Sequence, residues 1–234
     1  MKQLQRKTQS PKEFIVYEDN AVLVCHKPSG LAVQTRQVAQ KDLESILKTY
    51  VSSSASPYLA IINRLDQPVE GLVLFARTPE AAACLTSQLD SHTLEKEYLA
   101  ITSPAPAIPE QTLIDYLVRD GRQNQSFVID PAHAEACHKT NAQKAELHYQ
   151  TLQIQDTQAF VKITLKTGRH HQIRVQMANQ KAPLLGDTKY GGLPSPFLCL
   201  CSHRLAFLHP VTKTFMEFTA FPKNPAFSRF LSKL

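Results

Sequence analysis

The chain has 234 residues, 43% of them hydrophobic, which is enough for one large domain or two small ones with a sizeable core. Lysine and arginine total 26 against 20 acidic residues, and the net charge of +6 favours a polyanionic partner without naming one. No apolar run approaches the ~18 residues that cross a bilayer, and the polar start MKQLQRKTQSPKEF lacks the apolar stretch of a secretory signal, so no membrane contact and a cytoplasmic location are expected.

Five scattered cysteines (Cys25, Cys84, Cys137, Cys199, Cys201) in a chain too large to need disulfide staples read as reduced packing residues. There is no internal repeat and no Gly/Ser-rich linker. The expected organisation is a loose N-terminal extension over 1–19, one domain over 20–222 and a C-terminal tail over 223–234.

In chain order, Val22, Leu23 and Val24 predict a strand that the turn chemistry of His26-Lys27-Pro28-Ser29-Gly30 ends. Leu43, Ile46 and Leu47 have helical spacing and predict a helix over Asp42–Tyr50. Leu59–Ile62 and Leu72–Ala76 are strand-like runs. Thr78–Leu89 reads as a helix with Pro79 in its first turn. Gln111–Asp130 predicts a hairpin around Asp120-Gly121. Val161, Ile163 and Leu165 alternate with polar residues, the pattern of a half-buried strand stopping at Gly168, and Gln172–Asn179 suits a short helix. Arg204–Leu208 and Phe215–Ala220 pair across His209–Lys213. Strands outnumber helices, so an α+β fold around a largely antiparallel sheet is expected.

Two stretches carry candidate chemistry. IINRLDQPVEGLVLFAR sets Arg64 and Asp66 between apolar runs; Asp66 either caps the turn before Pro68 or is a carboxylate held rigidly at a sheet edge. In TLKTGRHHQIRVQMA, Arg169, His170, His171 and Arg174 crowd a helix start, where free N–H groups already favour anions. That is either a phosphate site, a partner for a catalytic carboxylate, or a solvated basic turn. Adjacent histidines point apart on a helix, and the loose His133, Cys137, His138 cluster has no distant matching pair, so no metal is expected. GxSxG, GxxxxGK[ST] and GxGxxG are all missing, so neither a serine nucleophile of that type nor a nucleotide cofactor is expected.

NRLDQPVEGLVLFAR resembles the catalytic motif of the RluA-type pseudouridine synthases, HRLD followed by two residues, TSG and an apolar strand. AVLVCHKPSGLAVQ, EKEYLA, KAELHYQTL, TGRHHQIRVQMA, PLLGDTKYGG and CSHRLAFLHPVTK are similar to further blocks of that family in the same order, from about residue 20 to 222. Asn63 stands where the family usually has histidine, Val69-Glu70 where it usually has Thr-Ser, and Gln176 in place of a histidine. These departures leave the RNA target open.

The resemblance implies a single catalytic domain built on a mixed, largely antiparallel bent sheet, flanked by helices and loops around a central RNA cleft. It implies a cofactor-free isomerisation of specific uridines in an rRNA or tRNA stem-loop, with no room for the S4 RNA-binding domain of some relatives and a monomer as the default. On this carry-over Asp66 is the catalytic aspartate, Tyr98 stacks on the target uracil and assists proton removal from carbon 5, and Arg174 pairs with Asp66. Arg64 fills the space left by the flipped uridine. Lys27, Arg169, Lys189 and Arg204 are expected phosphate contacts at the rim, from charge and motif position. Two other readings are a non-catalytic RNA-binding or chaperone relative, and a glycosidic enzyme pairing Asp66 with Glu70 at a carboxyl separation of ~5 Å.

Overall fold

An apolar run without polar alternation marks a strand covered on both faces. Glu70–Ala76 is such a strand, every residue of it buried. It belongs to the computed structural model of the chain, which describes residues 10–35, 37, 40–52, 57–130 and 141–232. Among these, eleven strands form one mixed, unclosed sheet: β1 Ile15–Glu18, β2 Val22–Lys27, β3 Ala60–Ile61, β4 Glu70–Ala76, β5 Glu95–Thr102, β6 Glu110–Asp120, β7 Gln125–Ile129, β8 Gln143–Gln155, β9 Gln158–Leu165, β10 Leu200–Leu208 and β11 Phe215–Thr219. The order is β1-β2-β4-β10-β5-β9-β8-β6-β7, with β3 also on β4 and β11 also on β10. The helices are α1 Leu43–Val51, α2 Pro79–Asp90, α3 Gln172–Asn179 and the short α4 Ser228–Leu231. No helix among the described residues is long and apolar enough to cross a membrane.

The two faces of β4 belong to two cores. Val73 and Phe75 pack with Leu43, Leu47 and Val51 of α1, while Leu72, Leu74 and Ala76 pack with Ala81 and Leu85 of α2. Each of the buried leucine, valine and phenylalanine side chains among these contributes roughly 1.5–3 kcal/mol. Both helices start where their caps dictate: Asp42 and Ser45 form a reciprocal capping box before α1, and the Thr78 hydroxyl accepts from Ala81 N–H with Pro79 at the first helical position of α2.

One seam positions the site. Every strand pair is antiparallel except β4–β10, which are joined in parallel over only Glu70–Gly71 and Cys201–Ser202. Gly71 has φ 119°, and a Cβ there would collide with the Ser202 backbone, so only glycine allows the strands this close. On its other edge Ser202 is in register with Tyr98 of β5. The loop that enters β4, and carries Asp66, is thereby set beside Tyr98.

The expected strands, helices and hairpin all form, with α3 at its expected bounds. The structure adds what the pattern hid. Ile15–Glu18, expected to be loose, pairs with β2 as an edge strand. β5 and β8 are interior strands of the sheet: charges at Glu95, Lys96 and Glu97 mask the period of the first, and in the second only Ala145, Leu147 and Tyr149 are buried. The C-terminal segment is docked rather than trailing, with Phe227 and Phe230 buried against Phe160 at ring separations of 6.1 and 5.6 Å. The described residues contain no three His, Cys, Asp or Glu side chains grouped for a metal, and the His133, Cys137, His138 cluster lies outside them.

Candidate active site

The β3–β4 connection builds the floor of the site. Asn63 ends β3 by replacing backbone with side chain: its Oδ1 accepts the Leu74 N–H at 2.7 Å, extending the ladder by one rung. Val69 N–H then donates to the Asp66 carbonyl at 3.0 Å and closes the turn. The turn is thus capped by the Asp66 main chain, and its carboxylate is free to point elsewhere. It faces Arg174 Nη1 at 3.2 Å and His171 Nε2 at 3.5 Å.

Arg174, 6% exposed, projects from α3 and forks onto Asp187 with Nε at 2.8 Å and Nη2 at 2.7 Å. One guanidinium thus holds a buried carboxylate with two donors and offers a third to Asp66. Burial alone would lower the Arg174 pKa, but hydrogen bonds and charge from Asp187 and then Asp66 more than offset it, so the cation is held firmly. The ring of Tyr190 lies under the guanidinium at 5.2 Å.

His171 occupies the left-handed region, φ 54°, at the start of α3. Its Nδ1 lies 2.9 Å from the Tyr190 hydroxyl, which accepts the Ser126 N–H at 2.8 Å. The Tyr190 proton is therefore available to Nδ1, an assignment that puts the imidazole proton on Nε2 facing Asp66. Burial, with Arg174 and His170 adding to it, lowers the His171 pKa to about 3, so the ring is neutral at pH 7. Burial likewise lowers His26 to about 4. Both groups charge near 6.5 in the unfolded chain, which therefore binds protons between about pH 6.5 and 4 that the folded chain refuses. Stability should fall as pH drops through that window. Thermal melts at pH 7, 6 and 5 measure it, with His171→Gln expected to shrink the fall and an acid-indifferent wild type counting against it.

Tyr98, 6% exposed, forms the wall beside Asp66, and burial raises its pKa further above its ordinary value, so it is a neutral phenol at pH 7. Asp66, Tyr98, Arg174, Arg64 and Arg169 line one cleft of about 490 Å3. Arg64 is exposed on it and Arg169 enters it from the turn before α3, anchored by Nε on the Lys144 carbonyl at 3.0 Å. Lys189 lies behind Arg174 in a neighbouring cavity of about 460 Å3, its ammonium near the carbonyls of Gln123 and Asn124 at 3.3 Å.

Two expected rim cations are elsewhere. Lys27 is fully buried, and its ammonium donates to the carbonyls of Pro28, Leu31 and Gln67 at 3.0, 2.7 and 3.1 Å. It is an internal strut that ties the end of β2 to the loop holding Asp66; burial lowers its pKa to about 7 against the pull of Asp66 and Glu70. Arg204 is taken up by Glu95, Glu97 and Glu217, none of which lines the cleft. Glu70 also leaves the chemistry: its two oxygens accept the Lys223 and Asn224 N–H groups at 3.0 and 3.1 Å and dock the C-terminal segment. Among the departures, Gln176 is buried with Nε2 on Asp115 at 2.7 Å.

A family model for RNA pseudouridylate synthase matches residues 21–179, more than half of the chain. The chain belongs to this family. Among curated synthases, the tRNA pseudouridine synthase C of Haemophilus ducreyi is 32% identical over 183 residues, covering 76% of this chain and 74% of that one. The ribosomal large subunit pseudouridine synthase D of Pseudomonas aeruginosa is 34% identical over 181 residues, 76% of this chain but 53% of that one, so the chain spans about half the length of the latter. In fold, the synthase domain resembles human RNA pseudouridylate synthase domain containing 4, with a TM-score of 0.74 at 21% identity, covering 91% and 90% of the two chains. Asp187 and Tyr190 are the parts of this site that were not singled out from sequence; both lie in LLGDTKYGG, a segment whose resemblance was visible but whose partners were not. His171 is one of the four residues, with Arg169, His170 and Arg174, that the sequence crowds at the start of α3, and it faces Asp66.

Proposed function

We propose that this protein isomerises uridines in structured RNA to pseudouridine, with Asp66 as the catalytic group. The observation that carries this is the Asp66 carboxylate, held by Arg174 and His171 on the floor of a cleft that also holds a buried tyrosine and two further arginines. As the N1–glycosidic bond breaks, positive charge develops on the ribose, and Asp66 stabilises it, attacks the anomeric carbon or removes a sugar proton. Uracil turns under the Tyr98 ring, a bond forms from carbon 5 to the anomeric carbon, and the carbon 5 proton leaves while N1 gains one. The product is an isomer of the substrate, and no redox step or added group is needed.

Carried over from the synthases C and D, the substrate class is a tRNA or rRNA stem-loop, a reading supported by Arg64, exposed on the cleft, and by Arg169, which lines it. A monomer acting in the cytoplasm fits this reading. The glycosidic-hydrolase alternative has lost its second carboxylate, since Glu70 is spent on main-chain N–H groups. Tritium release from RNA labelled at uracil carbon 5 is the test: the protein should release tritium from tRNA or rRNA, and no release from either while RNA is bound would favour a non-catalytic relative.

A further inference from the structure

Lys96 is a cation the cleft holds in reserve. It precedes Tyr98 by two residues on β5, so both side chains leave the same face of the strand, and Lys96 lines the cleft with Asp66, Arg64 and Arg169. It is only 6% exposed, yet its ammonium has no hydrogen bond and no ion pair among the described residues. The other cations buried in and under the cleft are answered from within: Lys27 by three carbonyls and Arg174 by two carboxylates. A largely buried ammonium is poorly hydrated, and a partner is needed to replace the water it has lost. The protein provides none here, although Asp66 and Asp90 line the same cleft.

What lies in front of the ammonium is the turn into α3, where a Cβ on Gly168 would sit 3.6 Å from Nζ. Lys96 is displaced by about 6.8 Å along the strand from Tyr98. A cation without a protein partner in a cleft proposed to hold a uridine suits the anionic group that every nucleotide brings with it, its phosphodiester.

We propose that Lys96 is a seat for one RNA phosphodiester, the backbone group next to the uridine held between Asp66 and Tyr98. This rests on the uridine-isomerising reading and deepens it: Lys96 supplies, from inside the cleft, charge that Lys27 and Arg204 do not supply at the rim.

The test reads binding and turnover separately. With Asp66→Asn as the non-reacting background and bulk tRNA and rRNA as probes, adding Lys96→Met should weaken binding about 10-fold and lower the log–log salt slope by about 0.7. Lys96→Arg should keep both, and it also separates lost charge from lost packing. In the otherwise unchanged enzyme, Lys96→Met should raise KM about 10-fold with kcat within about twofold, because a phosphate contact is made equally in ground and transition states. An unchanged salt slope overturns the proposal. So does a fall in kcat at saturating RNA with KM and slope unchanged, which would assign the ammonium to the departing uracil. If the wild type releases no tritium, the isomerase reading fails while the salt slope still decides whether Lys96 meets a phosphate.

Discussion

Asp66→Asn should reduce tritium release by on the order of 10³-fold or more while the protein still folds and binds RNA. The amide keeps the shape of the carboxylate and can still accept from Arg174 and His171, so the floor of the cleft is preserved. It cannot carry negative charge to the developing cation on the ribose, nor act as nucleophile or base. Stability should change by no more than about 1 kcal/mol, since Arg174 retains its bidentate bond to Asp187 and Asp66 is partly solvated. Single-turnover release at saturating RNA isolates the chemical step. Retention of more than a tenth of the wild-type rate would place the chemistry on another group and remove the proposed mechanism.

Arg174→Met should cost both stability and activity, for separable reasons. Asp187 is 2% exposed and Arg174 forms both hydrogen bonds that compensate its charge. Removing the guanidinium leaves a buried carboxylate unpaired, at about 3–5 kcal/mol. For a chain of this size that is roughly 6–20 °C in melting temperature. Asp66 loses its anchor in the same substitution, so kcat falls as well. Adding Asp187→Asn to Arg174→Met should restore much of the melting temperature, since no buried charge remains, and should restore none of the activity. Recovery of both together would mean that Arg174 serves only the fold. Arg174→Lys should rescue little, because one ammonium cannot span the fork on Asp187 and reach Asp66 at once.

The parts of the fold legible in the sequence are those whose signal is local. Asp42 with Ser45 and Thr78 with Pro79 announce their helices within four residues, and the unbroken Leu72–Ala76 run announces a strand covered on both sides. The strands β5 and β8 gave no comparable signal. Their inward faces are defined by neighbours far away in sequence, and their charged residues either line the cleft, as Lys96 does, or ladder with other strands. The docked C-terminus was equally invisible. Phe227 and Phe230 become core residues only when Phe160 is present to receive them.

The candidate site divides along the same line. The sequence by itself determined that Arg64, Asp66, Tyr98 and Arg174 stand in motifs of one family, and the structure brings all four to one cleft. It did not determine the fate of the long cationic side chains. A lysine or arginine reads as solvated until its surroundings are known, because its charge is cheap in water and costly inside. Whether Lys27 is a strut, Arg204 a triple ion pair or Lys96 an unanswered ammonium depends on atoms contributed by other elements: the Gln67 carbonyl 40 residues from Lys27, Glu95 109 residues from Arg204, and the bare Gly168 turn across from Lys96. Glu70 follows the same rule, becoming a latch only because the Lys223 and Asn224 N–H groups return to it from 153 and 154 residues away. Residue type and spacing set which chemistry is available; the desolvation and pairing that direct each charge exist only once the chain has closed around it.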